Sequence, residues 1–486
     1  MVSVAYMDPG NYSTAVSSGA TYKYALLSVV FLSNIFAVIL QCLCIKLGTV
    51  TGLDLAEFCR LALPGYINLP LYVCAELAII ATDLAEVVGT AISLQILFGI
   101  PLVYGVLITV LDVLIVLFAY HKDGSMKQTR TFEILVSVLV GATCICFVLE
   151  LFKCHFEPGA FSDIVKGFLP TRSNLSLFTE KQALFLSCAI VGSTVMPHSL
   201  YLGSALVQPR LKEYDIKHGN ILETAANANN EDDNDDDDYV VNVRRKSISD
   251  STALLSKYKP SLSAIEYCLS YSYSELIISL FIIAVFVNSA ILIVAATTLY
   301  GKPDAEDADL LSIYEMLAYY ISPTAGIIFA LSMLFSGQSA GIVCTMAGQI
   351  VSEGFINWTL TPWLRRIITR VIAIIPVLVI ILIMGREGVS KIMNSSQVVL
   401  SFFLPVTSAP LIWFTCTKQY MTVKVPTQST ITVNNDNVEH TEQTALLDST
   451  NTDVITFENS TPLAIASVLT WLTITALNIY LVIASI

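Results

Sequence analysis

Asp8-Pro9-Gly10-Asn11 and Gly192-Ser193-Thr194-Val195-Met196-Pro197-His198 each interrupt an otherwise apolar run of the chain. A proline inside a helix removes one backbone hydrogen bond and clashes with the preceding turn. In hydrocarbon, the carbonyls freed in this way must be buried in protein or line a cavity. Working outward with a window of about 19 residues, the first motif breaks a stub at residues 1–18. Ten spans follow, at 24–48, 67–98, 101–120, 130–151, 182–208, 272–299, 321–352, 364–385, 392–416 and 462–485. The two breaks fall in spans one and six. They are an odd number of spans apart, so two five-helix units would run in opposite directions through the membrane. Paired interruptions at corresponding places of inverted repeats point to a transporter's central site.

Composition agrees with an all-α membrane protein. Of the 486 residues 55% are hydrophobic and 13% charged, about half the charged share of soluble domains, and the mean hydropathy is +0.69. The net charge of −13 is concentrated in the run from Glu231 to Asp238 and says little about partners. The eleven cysteines show no CxxC pair or metal-finger spacing and read as small apolar fillers. The predicted organisation is a membrane domain over 1–208 (first repeat and sixth helix), a disordered acidic cytoplasmic loop over 209–265, helices seven to ten within 266–417, a second disordered cytoplasmic loop over 418–460, and an eleventh helix within 461–486. Most lysines and arginines, including those of the short Lys122–Arg130 loop, fall on one side if the N-terminus is cytoplasmic.

The residues at the breaks suggest the cargo. Asp8 offers a charged hard oxygen, Asn11 an amide oxygen, Met196 a soft thioether, and unwound carbonyls near Ser193 more oxygen. Calcium and magnesium sites use oxygen alone, whereas a thioether favours softer first-row metals. An aspartate at membrane centre costs about 3 kcal/mol or more unless paired or ligating. Helix three carries Glu76, Asp83 and Glu86 within an arc of about 80°. Three acids on one face are candidates for carrying protons, against the alternative of a static ion-pair network. His198 is either a proton relay or a hydrogen-bonded helix histidine.

At these residues the chain resembles the natural resistance-associated macrophage protein (Nramp) family of proton-coupled divalent metal transporters, in a fungal-like form. The resemblance rests on Val4 to Asn11, Ala81-Thr82-Asp83-Leu84-Ala85-Glu86, Thr194 to Leu202, and Gln338 to Gln349. It implies a LeuT-like fold of two inverted five-helix repeats plus an eleventh helix, with helices one and six broken at mid-membrane. It makes Asp8, Asn11, Met196 and the Ser193 carbonyl the metal ligands, and Gln397 a ligand in some states. It also suggests Arg365, Arg366 or Arg370 as basic partners of the helix-three acids. Gly203 stands where many relatives have a histidine, and the signature after helix eight is degraded. The chain starts seven residues before Asp8, which reads as truncation of the inner half of helix one.

The expected activity is secondary active transport of Fe2+ or Mn2+ with protons into the cytosol, with no permanently bound cofactor. The alternatives are a magnesium or amino-acid carrier on the same architecture and a non-transporting metal sensor. No nucleophile–base set or nucleotide-binding glycine loop points to an enzyme, and no nucleic-acid partner is expected. Acidic-xxx-Leu-Leu patterns ending at Leu254-Leu255 and Leu446-Leu447 would engage sorting adaptors and favour a vacuolar or endosomal membrane over the plasma membrane. Arg244-Arg245-Lys246-Ser247 is a candidate kinase site, and Asn174-Leu175-Ser176 a candidate glycosylation site.

Overall fold

The computed structural model describes residues 8–109, 126–171, 174, 176–220, 258–302, 310–357, 362–385, 387–426 and 452–485. The first motif is where a helix begins. Asp8 is extended, its carboxylate accepts the Asn11 backbone N–H at 2.9 Å, and Pro9 opens α1 (Pro9–Tyr22). Aspartate as N-cap with proline at the first helical position is a strong start signal. The second motif splits the sixth span into α8 and α9. α2 (Leu27–Thr51), α3 (Leu55–Ala62), α4 (Gly65–Phe98), α5 (102–109), α6 (Met126–Lys153) and α7 (Ala160–Phe168) lie between, then α8 (Lys181–Thr194) and α9 (Pro197–Ala205). Only Val195 and Met196 leave helical geometry between these two, with ψ of 73° and 127°.

The rest of the membrane part is α10 (Gln208–Lys217), α11 (Leu262–Ile278), a π-turn at Ser279–Ala284, α12 (Val285–Leu299), α13 (Leu310–Tyr320), α14 (Pro323–Ile356), α15 (Pro362–Met384), α16 (Glu387–Cys416) and α17 (Thr461–Ser485). Among the described residues eight helices are long and apolar enough to cross a membrane. Packing follows the inverted repeat. α1 lies along α12, and the corresponding pairing, α8 and α9 along α2, is also present. Likewise α14 on α6 is answered by α4 on α16, while α4 and α14, the third helix of each repeat, pack on each other.

Burial is inverted relative to a water-soluble protein. Asp8, Asp83, Glu86 and Glu150 are fully buried, whereas Leu382 and Ile383 are 74% and 76% exposed. Apolar side chains outward and ionisable ones inward suit a hydrocarbon surround.

Parts of the two polar loops are ordered where disorder was expected. In 209–265, α10 continues from the sixth span, and Asp215 ties it to the start of α11. Its carboxylate accepts from the Tyr258 hydroxyl, from the Ser261 N–H and hydroxyl, and from the Asn220 amide at 2.8 Å. In 418–460, β1 (Thr422–Pro426) and β2 (Thr452–Thr456) pair antiparallel with Lys424 opposite Val454. Their β-branched residues favour pairing, and Lys46 anchors the return by donating to Asn459 at 2.9 Å. Residues 221–257 and 427–451 lie outside the described residues. So do both Leu-Leu patterns and the candidate kinase site. Asn174, the candidate glycosylation position, donates its amide nitrogen to the Leu169 carbonyl at 3.0 Å. Glu275 of α11 forms a fork with Arg210 of α10.

Candidate metal centre

Pro9 fixes where α1 starts, and three glycines hold it there. A Cβ on Gly89 of α4 would stand 2.3 Å from the Pro9 ring, and one on Gly337 of α14 would stand 3.5 Å from it. A Cβ on Gly10 would meet the Gln397 amide at 2.2 Å. Asp8 and Asn11 therefore sit where α4, α14 and α16 converge. Gly89→Ala pushes a methyl into the proline ring, and overpacking of this kind costs about 1–3 kcal/mol. We expect the variant to lose most metal binding while remaining folded, as seen by direct binding and size-exclusion chromatography of the same sample.

α8 closes the other side. A Cβ on Gly192 would stand 1.9 Å from the Gln397 carbonyl, so α16 crosses α8 in backbone contact. Ser193 lies in the last turn of α8, where helix carbonyls lose their partners. Val195 N–H takes the Val191 carbonyl. The Ser193 hydroxyl donates to Ile190 and meets Thr14 of α1 at 3.4 Å, which leaves its carbonyl as the ligand the group could supply. Met196 is 1% exposed and caps α9, its own carbonyl held by the Ser199 hydroxyl at 2.7 Å.

Among the described residues, three buried polar atoms here have no hydrogen-bond partner: Asp8 Oδ2, Asn11 Nδ2 and Gln397 Oε1. Such orphans are costly, and they lie on the very residues expected to ligate. The oxygen and nitrogen of an amide are interchangeable by a half-turn, so Asn11 can present its oxygen at the same place. The set of carboxylate, amides, backbone carbonyl and thioether fits a borderline first-row divalent ion.

The expected proton-pathway residues divide. Asp83 and Glu86 of α4 both face Arg370 of α15, at 3.5 and 3.3 Å, all three buried. Arg370 is thus a partner of the acids; the side chains of Arg365 and Arg366 lie outside the described residues. Gly341 lets α14 approach, since a Cβ there would stand 3.2 Å from Glu86. Cys344 joins the two carboxylates in a cluster whose ligand atoms lie within 4.8 Å of one another, and both of those carboxylates already pair with the guanidinium. His198 reaches helix three through Thr82, Nδ1 to hydroxyl 3.4 Å. Glu76 is only partly buried, two turns from Asp83 along α4. Sequence reading missed Thr14, Thr82 and Gln41. Gln41 donates to the carbonyl and hydroxyl of Ser199 at 3.0 and 2.9 Å, and its oxygen occupies the space beside Gly203, 2.2 Å from where a Cβ would lie. A lone glutamine in an apolar span was the available signal.

A helix that opens at Asp8-Pro9, set against a second helix broken at Val195-Met196 within an inverted repeat, defines a membrane protein of the LeuT-like fold. Residues 1–433 match the natural resistance-associated macrophage protein-like (Nramp) description, and the chain belongs to that family. It is 56% identical to the iron transporter SMF3 of Saccharomyces cerevisiae, covering all of this chain and 94% of that one. To the manganese transporter SMF1 of the same yeast it is 45% identical, over 99% of this chain and 84% of that one. It is also similar to the crystal structure of the Eremococcus coleocola manganese transporter in complex with an aromatic bis-isothiourea compound. The TM-score is 0.70 at 28% identity, over 98% of this chain and 83% of that one.

Proposed function

We propose that this protein moves iron(II) or manganese(II) together with protons across a membrane into the cytosol. The observation that carries the reading is the set of unpartnered atoms on Asp8, Asn11 and Gln397, beside the start of α1 and the break between α8 and α9. In this reading Asp8, Asn11, Met196, the Ser193 carbonyl and Gln397 hold the ion. Ligation needs the Asp8 carboxylate, so binding a metal releases any proton it holds. Asp83, Glu86 and Arg370, reached through Thr82 and His198, form the route by which a proton leaves the site. The metals named for the yeast relatives, iron and manganese, both suit a site with one thioether. A vacuolar or endosomal membrane is the proposed location, with the N-terminus cytoplasmic.

Metal uptake into proteoliposomes, with and without an inward proton gradient, tests this. The parent should take up manganese and iron(II), faster with the gradient, and exclude magnesium and calcium. Met196→Ala is expected to admit magnesium or calcium while keeping manganese uptake within about tenfold, since a softer ligand tunes selectivity more than raw affinity. Magnesium passing as readily as manganese in the parent would favour a magnesium carrier. Manganese binding without flux would favour a sensor.

A further inference from the structure

Glu150 lies on α6, an element that carries none of the proposed metal ligands and none of the helix-three acids. It is fully buried, and among the described residues neither oxygen of its carboxyl has a hydrogen-bond partner. It opens onto a cavity of about 10 Å³, room for one water at most. The walls are apolar: Val16 from α1, Phe147 from its own helix, Ile291, Val294 and Ala295 from α12, Ile313 and Leu317 from α13, and Phe329 from α14. Among the described residues, the titratable neighbours are Tyr12 of α1 and Cys146 and Cys154 of α6, and no charged side chain from α12, α13 or α14 lines the cavity. Lys153, three residues on, is turned to Ser322 and Thr324 instead.

An ionised carboxylate needs a cation, several N–H or O–H donors, or water. Among the described residues it has none of the first two, and the cavity has no space for a hydration shell. A metal or sodium ion would need several oxygens, and the walls offer none. A neutral, protonated carboxyl fits. The cavity also adjoins the moving parts expected of a carrier. Phe147 and Phe329 line it, and their rings pack on Tyr12 at 5.3 and 6.0 Å between centroids, next in sequence to Asn11. Val16 and Tyr12 belong to α1, so any outward swing of α1 takes away one wall and admits water.

We propose that Glu150 is a second proton-binding site, distinct from the Asp83–Glu86–Arg370 cluster. It takes up a proton from water on the non-cytoplasmic side when α1 swings away, and holds that proton when α1 packs back against α12 and α14. The exchange step rests on the transport reading above; the protonated state in the packed form does not.

Two measurements on the full-length protein and Glu150→Gln test it, and the substitution keeps size and shape. Infrared difference spectra of the purified proteins should show a C=O stretch of a protonated, non-hydrogen-bonded carboxyl in the parent and its loss in Glu150→Gln. Manganese uptake into proteoliposomes should then be recorded against external pH. One titrating group contributes up to about a tenfold change per pH unit; that acid stimulation is expected in the parent and should be lost in the variant, with manganese binding retained. Absence of the band would overturn the site outright. A band together with an unchanged pH profile in Glu150→Gln would overturn the exchange. A parent that shows the band but moves no metal at any pH would sink the transport reading and the exchange with it, and leave the protonated Glu150 standing.

Discussion

Asp8→Ala is expected to abolish metal uptake and to weaken manganese binding by more than about 100-fold. Loss of a residue that merely supports a ligand already costs about 10–100-fold, and Asp8 is the only anion among the proposed ligands. The same carboxylate caps α1 through the Asn11 N–H, so the alanine variant also loses about 1 kcal/mol of helix stability. Asp8→Asn separates the two effects. Asparagine caps as well as aspartate, so a folded asparagine variant that still binds no manganese assigns the loss to ligand charge. Calorimetric titration of both variants reads this directly. Manganese binding at the parent's affinity in either one would remove Asp8 from the site.

The second large effect is at Arg370. Arg370→Ala leaves Asp83 and Glu86 buried without the guanidinium they share. Removing one partner of a buried ionic group costs about 3–5 kcal/mol, because the remaining charge stays desolvated. With these side chains at most 2% exposed, solvent screening offers little relief. A large drop in the thermal unfolding midpoint in detergent is expected. The triple variant Asp83→Asn, Glu86→Gln, Arg370→Ala removes all three charges, and much of the stability should return. Its transport decides what the cluster is for. Gradient-stimulated manganese uptake at the parent's rate in the triple variant would make the cluster a static ion-pair network. Uptake that persists without stimulation by the gradient would make it the proton route.

Both experiments bear on the same arrangement, in which the proposed metal site and the acid cluster share α4. Gly89 seats Pro9 one turn from Glu86, while Thr82 meets His198 one residue before Asp83. A shift of α4 that opens the proposed route past Arg370 would therefore also disturb the seat of Asp8. In the proposed reading, this links metal release to proton movement.

Much of this was legible in the chain itself. Hydropathy places the spans because hydrocarbon admits backbone only when its hydrogen bonds are satisfied within a helix. The two proline-bearing interruptions point to the proposed site for the same reason, since they break that rule at matching places. The acidic face of helix three follows from a period of 3.6 residues alone. These are local properties, set by neighbours within a few turns.

What only the tertiary structure decided depends on residues far apart in sequence. Nothing near Arg370 tells it from Arg365 or Arg366; its burial against Asp83 and Glu86 comes from α15 crossing α4. Gln41 occupying the space beside Gly203, Gly192 admitting the α16 backbone, and Asp215 gathering the two ends of a long polar loop are likewise contacts between elements. Glu150 shows the difference most clearly. In sequence it is one acid near the end of an apolar span, where a charged residue can reach water. Only the packing of α1, α12, α13 and α14 around it removes that water, because burial is a property of the assembled helices and not of any one of them.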